Sequence, residues 1–364
     1  MENKINTIVN WISKRQVLVA AFLAAGFIIL TLGLGHISNQ TIPGNVASAR
    51  YNAEPGTHLD FMAEWDGIHY LHIAKHGYTD NSLVAFFPLY PLAIRLVMFL
   101  VSSPLISGLV VSWLALFGSL IFYLKILKEY FDNDKVTSVM GALLFLFFPT
   151  GVFLAATYSE GLFTLLALGA LYFALKNRYI LAGILTGLAT ATRPDGVFII
   201  LLVAAVLYEA KAKLWQILVA AGSGMVGLIG YVTYLGIKLH KPFAFISAQK
   251  HHLKWAVGSF IQPMINSLSP IALVLFILAI ISTVYWYSRR KSFALYSLLF
   301  VLLPIVTTNF AGYPRYMLIN FPLQIMLLNK FKRSTLAYSL VLVLSAILWG
   351  YFTMHYVAGY TGGS

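Results

Sequence analysis

Apolar runs follow one another through this chain at 17–37, 104–127, 136–155, 159–175, 179–192, 196–208, 215–237, 269–288, 293–309, 316–329 and 335–354. A water-soluble fold would have to hide all of them. A bilayer hides them without further structure, and at about 1.5 Å per residue the longer runs cross its ~30 Å core as helices. A helix also satisfies its own backbone in hydrocarbon, which an open strand cannot do. The pattern predicts an all-α polytopic integral membrane protein with about 11 transmembrane helices. Hydrophobic residues are 59% of the chain and charged ones only 10%, which leaves too little polar surface for a soluble particle.

The charges that remain fix an orientation. Lys and Arg total 25 against 12 Asp and Glu, a net +13. The basic residues sit between apolar runs, so they follow the positive-inside rule and do not mark a nucleic-acid surface. With a cytoplasmic N-terminus, Lys14/Arg15, Lys125/Lys128/Lys135, Lys176/Arg178, Lys211/Lys213, Arg289/Arg290/Lys291 and Lys330/Lys332/Arg333 all fall inside. The run at 17–37 then reads as an uncleaved first span. The stretch 86–101 begins FFPLYP and contains Arg95; counted as a span it would break the alternation, so an interfacial helix is expected there. Two large loops face outward, 38–104 and 238–268, and nothing divides the 364 residues into more than a single domain.

The outer loop 38–104 carries the chain's most polar stretch, EWDGIHYLHIAKHGYTDNSLVAFFPLY from Glu64 to Tyr90. Beyond Glu209 the chain has no carboxylate, so acid–base chemistry by Asp or Glu has to come from the first half. Asp66, between Trp65 and Gly67 with no basic neighbour in sequence, is the candidate general base. The second half offers cations for an anionic substrate: Lys241, Lys250, His251, His252, Lys254 and Arg315, joined by Arg193 from the first half. Each has a bland alternative. Lysines at headgroup level snorkel. Glu160 in TYSE and Asp195 in TRPD fit helix N-caps as well as substrate contacts. His69, His72 and His76 share one helical face, which suits a polar stripe better than zinc. Trp65, Tyr70 and Tyr78 could stack on a sugar or line an aromatic belt. The absence of Cys excludes a thiol nucleophile or a Cys-based metal site.

Four blocks in order, WDGIHYLHIAKHGY, AFFPLYPLAIR, FPTGVFLAATYSEGLFTLL and AGILTGLATATRPDGV, resemble the PIG-V family, mannosyltransferases of GPI-anchor synthesis, and its prokaryotic relatives. PFAFISAQKHHLKW and PRYMLINFPL are weaker matches. The resemblance implies a GT-C-like glycosyltransferase with interfacial helices in its first outer loop and a polyprenyl-phosphate sugar as donor. It implies that Asp66 is the catalytic carboxylate and draws attention to Glu160, Arg193 and Gln249. Where the eukaryotic family tends to have Arg-Ser-Asn-Gly, this chain has Arg193-Pro194-Asp195-Gly196.

The expected activity is inverting transfer of a mannosyl or other hexosyl residue from that donor to a lipid-linked or cell-surface glycan, on the outer face of a prokaryotic cell membrane (of the endoplasmic reticulum in a eukaryote). Asp66 is the expected catalytic residue; Trp65, His69, Glu160, Arg193, Asp195, Gln249, His252 and Arg315 are expected on the substrates. No cofactor is expected beyond the lipid-linked sugar, no protein-held metal, and no nucleic-acid partner. A multi-span transporter or lipid flippase is the alternative; such folds place ionisable groups at the midplane of inverted repeats, and no repeat is visible here.

Overall fold

The computed structural model describes residues 16–45, 58–132, 134–252, 261–307, 309–310 and 312–360; the side chains of 250–252 and 261–263 lie outside that description. Among the described residues there is no strand. The helices are α1 Gln16–Thr41, α2 Asp66–His76, α3 Leu89–Met98, α4 Pro104–Tyr130, α5 Lys135–Leu146, α6 Ser159–Leu175, α7 Tyr179–Thr192, α8 Gly196–Glu209, α9 Leu214–Leu239, α10 Ala244–His252, α11 Ile261–Ser267, α12 Pro270–Tyr287, α13 Lys291–Thr307, α14 Tyr313–Met317, α15 Phe321–Phe331 and α16 Thr335–Val357. Short 3₁₀ turns at Asp60–Met62, Asn81–Ala85 and Gly151–Leu154 link some of them. Several starts are capped as their sequences suggest: the hydroxyls of Ser103 and Ser269 accept from the amides of Ile106 (3.2 Å) and Ala272 (3.3 Å).

Among the described residues five helices, α1, α4, α9, α12 and α16, are long and apolar enough to cross a bilayer by themselves. Helices α6, α7 and α8 follow the expected runs to within a residue, α13 is as long as its run, and two runs are cut short. The run 136–155 stops as α5 at Leu146, because Phe148-Pro149-Thr150-Gly151 turns the chain. A Cβ on Gly151 would sit 2.2 Å from the carbonyl oxygen of Leu146, so only glycine fits that corner. The run 316–329 is likewise two pieces, α14 and α15, the second started by Asn320 as cap and Pro322 in its first turn. At ~1.5 Å per residue, α3 is about 15 Å long and too short to span.

Helix α6 is the centre of the bundle, packed on α4, α7 and α8. It runs parallel to α4: Gly161 faces Ser112, Gly118 faces Leu165, and Gly169 faces Phe122. That pairing gives the bundle two distinct ends. At one, Lys176 bonds Glu129 at 2.8 Å, Lys332 lies over the Phe131 ring, and the Glu209 carboxylate accepts from the Ser292 amide (2.6 Å) and hydroxyl (2.7 Å) while Arg290 approaches it at 3.3 Å. At the other lie Tyr158, Arg193 and Arg315.

Helices α7 and α9 approach through small residues, as helices in lipid do when van der Waals packing drives them together. Gly183 meets Ala220, Gly187 meets Ser223, and the Thr190 hydroxyl donates to the Gly224 carbonyl at 2.7 Å. This contact sets the end of α7, and hence Arg193. On α9, a Cβ at Gly227 would fall 2.0 Å from the Gly187 oxygen, whereas one at Gly230 meets nothing within 4 Å. Gly227→Ala should therefore cost about 1–3 kcal/mol by overpacking. Gly230→Ala should be neutral or slightly stabilising. Thermal unfolding in detergent compares them; equal melting temperatures would contradict the α7–α9 contact.

Candidate active site

The site begins at a turn. The Gly67 amide donates to the Glu64 carbonyl at 3.0 Å, and Trp65 between them has φ 52° and ψ −118°. Those angles belong to the first central position of a type II′ turn, where glycine is the usual residue. Holding a tryptophan there costs on the order of 1–3 kcal/mol, so the surroundings must impose it. They do. The Met62 carbonyl accepts from the amide and hydroxyl of Thr157 (both 3.0 Å) and from the Tyr356 hydroxyl (3.2 Å). The Tyr356 oxygen in turn accepts from the Glu64 amide at 3.1 Å. Gly67 lies flush on Thr157, with room for a Cβ only 2.8 Å from the Thr157 Oγ1. The turn delivers Asp66 as the first residue of α2, where its otherwise unsatisfied amide donates to the Tyr158 hydroxyl at 3.2 Å.

Asp66 does not stand alone. Arg315 donates from Nη1 to Asp66 Oδ2 at 2.6 Å, and its Nε lies 3.1 Å from Glu160 Oε1, an ion-pair distance without hydrogen-bond alignment. Arg193 donates from Nη1 to the same Glu160 oxygen and from Nε to both Asp195 oxygens, at 3.0 and 3.3 Å. Asp66, Arg315, Glu160, Arg193 and Asp195 therefore form one chain of alternating charge. Three carboxylates against two guanidiniums leave one formal negative charge. The Glu160, Asp195 and Arg193 side chains are 3%, 6% and 9% exposed, Arg315 11%, and Asp66 32%. The chain of charge is buried at one end and opens at Asp66.

Aromatic rings hold the guanidiniums. Arg315 lies over Phe153, Tyr158 and Tyr316 at 5.6–5.8 Å, and Arg193 over Phe163 and Tyr316 at 5.7 and 5.3 Å, so the Tyr316 ring serves both. The Thr150 hydroxyl donates to the Pro314 carbonyl at 2.9 Å and fixes α14, whose N-cap is Gly312 with φ 75°. These supports fall in the FPTGVFLAATYSEGLF and GYPRYM stretches, where sequence reasoning singled out Glu160 and Arg315 but not Phe153, Tyr158 or Tyr316.

The capping alternatives fail. Tyr158 is the N-cap of α6 and makes no side-chain cap bond. Thr157 is spent on Met62, and Ser159 Oγ accepts from Tyr70 (2.9 Å) and Arg193 (3.4 Å). Asp195 occupies the N-cap of α8 but caps nothing, because its carboxylate faces Arg193. The histidine stripe splits: the His69 ring lies tilted against Phe86 at 4.9 Å, while His72 bonds the Thr79 hydroxyl at 2.7 Å and its ring lies 5.0 Å from that of His76. Trp65 is half-buried, and its buried Nε1 has no hydrogen-bond partner. Gln249 is half-buried on α10, and the five-residue chain does not include it. His252 ends α10 and its side chain lies outside the described ones, as do those of Lys250 and His251; Lys254 lies outside the described residues.

Comparison with known proteins decides the family. The sequence model of Mannosyltransferase (PIG-V) matches residues 35–219, just over half of the chain. The chain belongs to the PIG-V mannosyltransferase family. Among curated PIG-V relatives, the GPI alpha-1,6-mannosyltransferase 2 of Cricetulus griseus is 35% identical over 149 residues, 38% of this chain and 30% of that protein. The Homo sapiens protein of the same name is 33% identical over 194 residues, 46% of this chain and 38% of its own length. The GPI mannosyltransferase 2 of Schizosaccharomyces pombe is 31% identical over 138 residues, 37% and 29% of the two. The aligned part thus covers only about a third of the length of these relatives. The PIG-V match contains Trp65, Asp66, His69, Glu160, Arg193 and Asp195; Gln249, His252 and Arg315 lie beyond it.

Proposed function

We propose that this chain transfers mannose from a polyprenyl-phosphate donor to a glycolipid acceptor, with Asp66 as general base. One observation carries the reading: within the PIG-V match, Asp66 is the open end of an otherwise buried charge chain, and a cation from the far half of the sequence holds it. The acceptor hydroxyl attacks the anomeric carbon and gives its proton to Asp66. The bond from that carbon to the donor phosphate breaks on the opposite face, and the phosphate leaves with the electron pair. A phosphate leaves already ionised, so no general acid is required; a cation has only to balance its charge.

Arg315 is that cation. Its guanidinium donates to Asp66. A donor phosphate competes for the same guanidinium, and as Arg315 turns to it, an Asp66 oxygen is released to the acceptor hydroxyl. Glu160, Arg193 and Asp195 stay behind and hold Arg315 in place. Trp65, His69, Gln249 and His252 remain proposed substrate contacts.

The basic end of the bundle faces the cytoplasm, by the positive-inside rule, and the Asp66 end faces outward. The shorter helices α5, α6, α7, α8, α13 and α15 complete about 11 membrane passes, and α2 and α3 lie at the outer interface. Single cysteines at the exposed positions Lys241 and Lys291 check the orientation: an impermeant thiol reagent added to intact cells should label the first only. The reverse pattern would move the site to the cytoplasm.

The function is tested with membranes carrying the full chain and radiolabelled polyprenyl-phosphate mannose. New label in an extractable glycolipid supports transfer, whereas label that crosses the membrane with no new glycosidic bond supports the flippase. In the same assay Arg315→Lys, which keeps the charge but loses the planar fork, should raise the donor KM. Arg315→Ala should raise it further, and an unchanged donor KM in a well-folded Ala variant would remove Arg315 from the donor site.

A further inference from the structure

A second cavity opens beside the site. A groove of about 420 Å³ runs between α3 and α9 and is closed below by the end of α2. Ile73 of α2 and Tyr78 just beyond it, Leu92 and Arg95 of α3, and Gly230 and Tyr234 of α9 lie along it. Its size is that of a ligand pocket, roughly 300–1,000 Å³. The Tyr78 hydroxyl is turned away to the Phe86 carbonyl at 2.7 Å, so that tyrosine presents ring carbon to the groove. Gly230 faces open space and gives the trough its depth. No lining residue is acidic. Arg95 is exposed and makes no ion pair or hydrogen bond with the described residues. An apolar trough ending in an uncompensated guanidinium matches an amphiphile with a hydrocarbon chain and an anionic phosphate head.

We propose that this groove binds the lipid anchor of the acceptor, with Arg95 on its phosphate, as a site separate from that of the donor. Its role as acceptor anchor rests on the transferase reading above. Chemistry distinguishes the two lipids. The donor phosphate is bonded directly to the reacting carbon, so it must lie beside Asp66, where Arg315 is. An acceptor phosphate is separated from the reacting hydroxyl by intervening sugar. Helix α2 supplies that separation: Asp66 begins it, and Ile73, seven residues on, reaches the groove about 10 Å along the axis. The acceptor then spans α2, its anchor in the groove and its terminal sugar at Asp66.

The test uses the full chain in nanodiscs of phosphatidylcholine and phosphatidylinositol in equal parts, with lipids retained by the protein counted by native mass spectrometry. Wild type should retain phosphatidylinositol preferentially. Arg95→Gln should weaken that preference about tenfold. Gly230→Leu, which fills the trough without touching α7, should displace the bound lipid whatever its head. A variant pair that retains phosphatidylinositol as wild type does would overturn the proposal. So would loss of added polyprenyl phosphate in place of phosphatidylinositol, since the groove would then serve the donor. In transfer assays with a phosphatidylinositol-based glycolipid, Arg95→Gln should raise the acceptor KM and leave kcat and donor KM unchanged; a raised donor KM contradicts the assignment. The lipid count needs no turnover, so a chain that transfers nothing would sink the transferase reading and still leave the groove measurable.

Discussion

Replacing Asp66 by Asn is expected to slow mannosyl transfer by roughly 10²–10⁴-fold, the usual contribution of a positioned acid–base group. Asn keeps the size and the hydrogen-bonding reach of the side chain but cannot take a proton. Folding should survive, because Asp66 is a third exposed and Arg315 keeps Glu160 as a partner. The variant has a second signature. With the carboxylate gone, the charge chain is neutral and Arg315 has lost its competitor, so donor binding should hold or tighten while turnover collapses. A well-expressed Asp66→Asn protein with near-normal turnover would place the base elsewhere. Weaker donor binding would contradict the exchange of Arg315 between Asp66 and phosphate.

Glu160→Gln should act in the opposite sense, on stability first. Glu160 is buried and its carboxylate lies between two guanidiniums. Removing one partner from a buried ion network leaves the others uncompensated, which costs on the order of 3–5 kcal/mol. Asp195 can still hold Arg193, and Asp66 can still hold Arg315, but the link between the pairs is lost. The expected result is a large drop in melting temperature in detergent and a lower yield of monodisperse protein. A Glu160→Gln protein as stable as wild type would mean that the network contributes little to folding.

The contrast between the two variants shows what the sequence could and could not announce. Asp66 was legible as a carboxylate in a polar segment with no basic neighbour, and Arg315 as a cation in a half with no acids. Their pairing was not, because 249 residues separate them and periodicity carries no information at that range. One clue was present: a buried Arg315 has no acid in its own half to pair with, so its partner had to come from before residue 210 or from a ligand. Glu160 and Asp195 misled for the opposite reason. TYSE and TRPD have the local spacing of helix caps, but the arginines compete for the same oxygens and win, since a charged partner outweighs a neutral amide.

The membrane character and the helical class followed from the apolar runs, because hydrocarbon leaves few alternatives. Lengths were less secure. The run 136–155 looked continuous by hydropathy, yet Pro149 and Gly151 break it, and Gly151 is the residue whose missing Cβ the corner requires. That corner carries Thr150, which ties α14 and hence Arg315 to the bundle. The interruption in the span is part of how the site is built.

The anomeric configuration of the product tests the central claim most directly. One open carboxylate acting as base, with the phosphate leaving opposite the incoming hydroxyl, permits a single displacement. The new mannosidic bond must then have the configuration opposite to that of the donor, as linkage-specific mannosidases and NMR of the purified glycolipid can show. An inverted product from wild type, lost in Asp66→Asn, is the result expected. Retention of the donor configuration would require a covalent mannosyl–enzyme intermediate and a nucleophile, and would contradict the role given to Asp66.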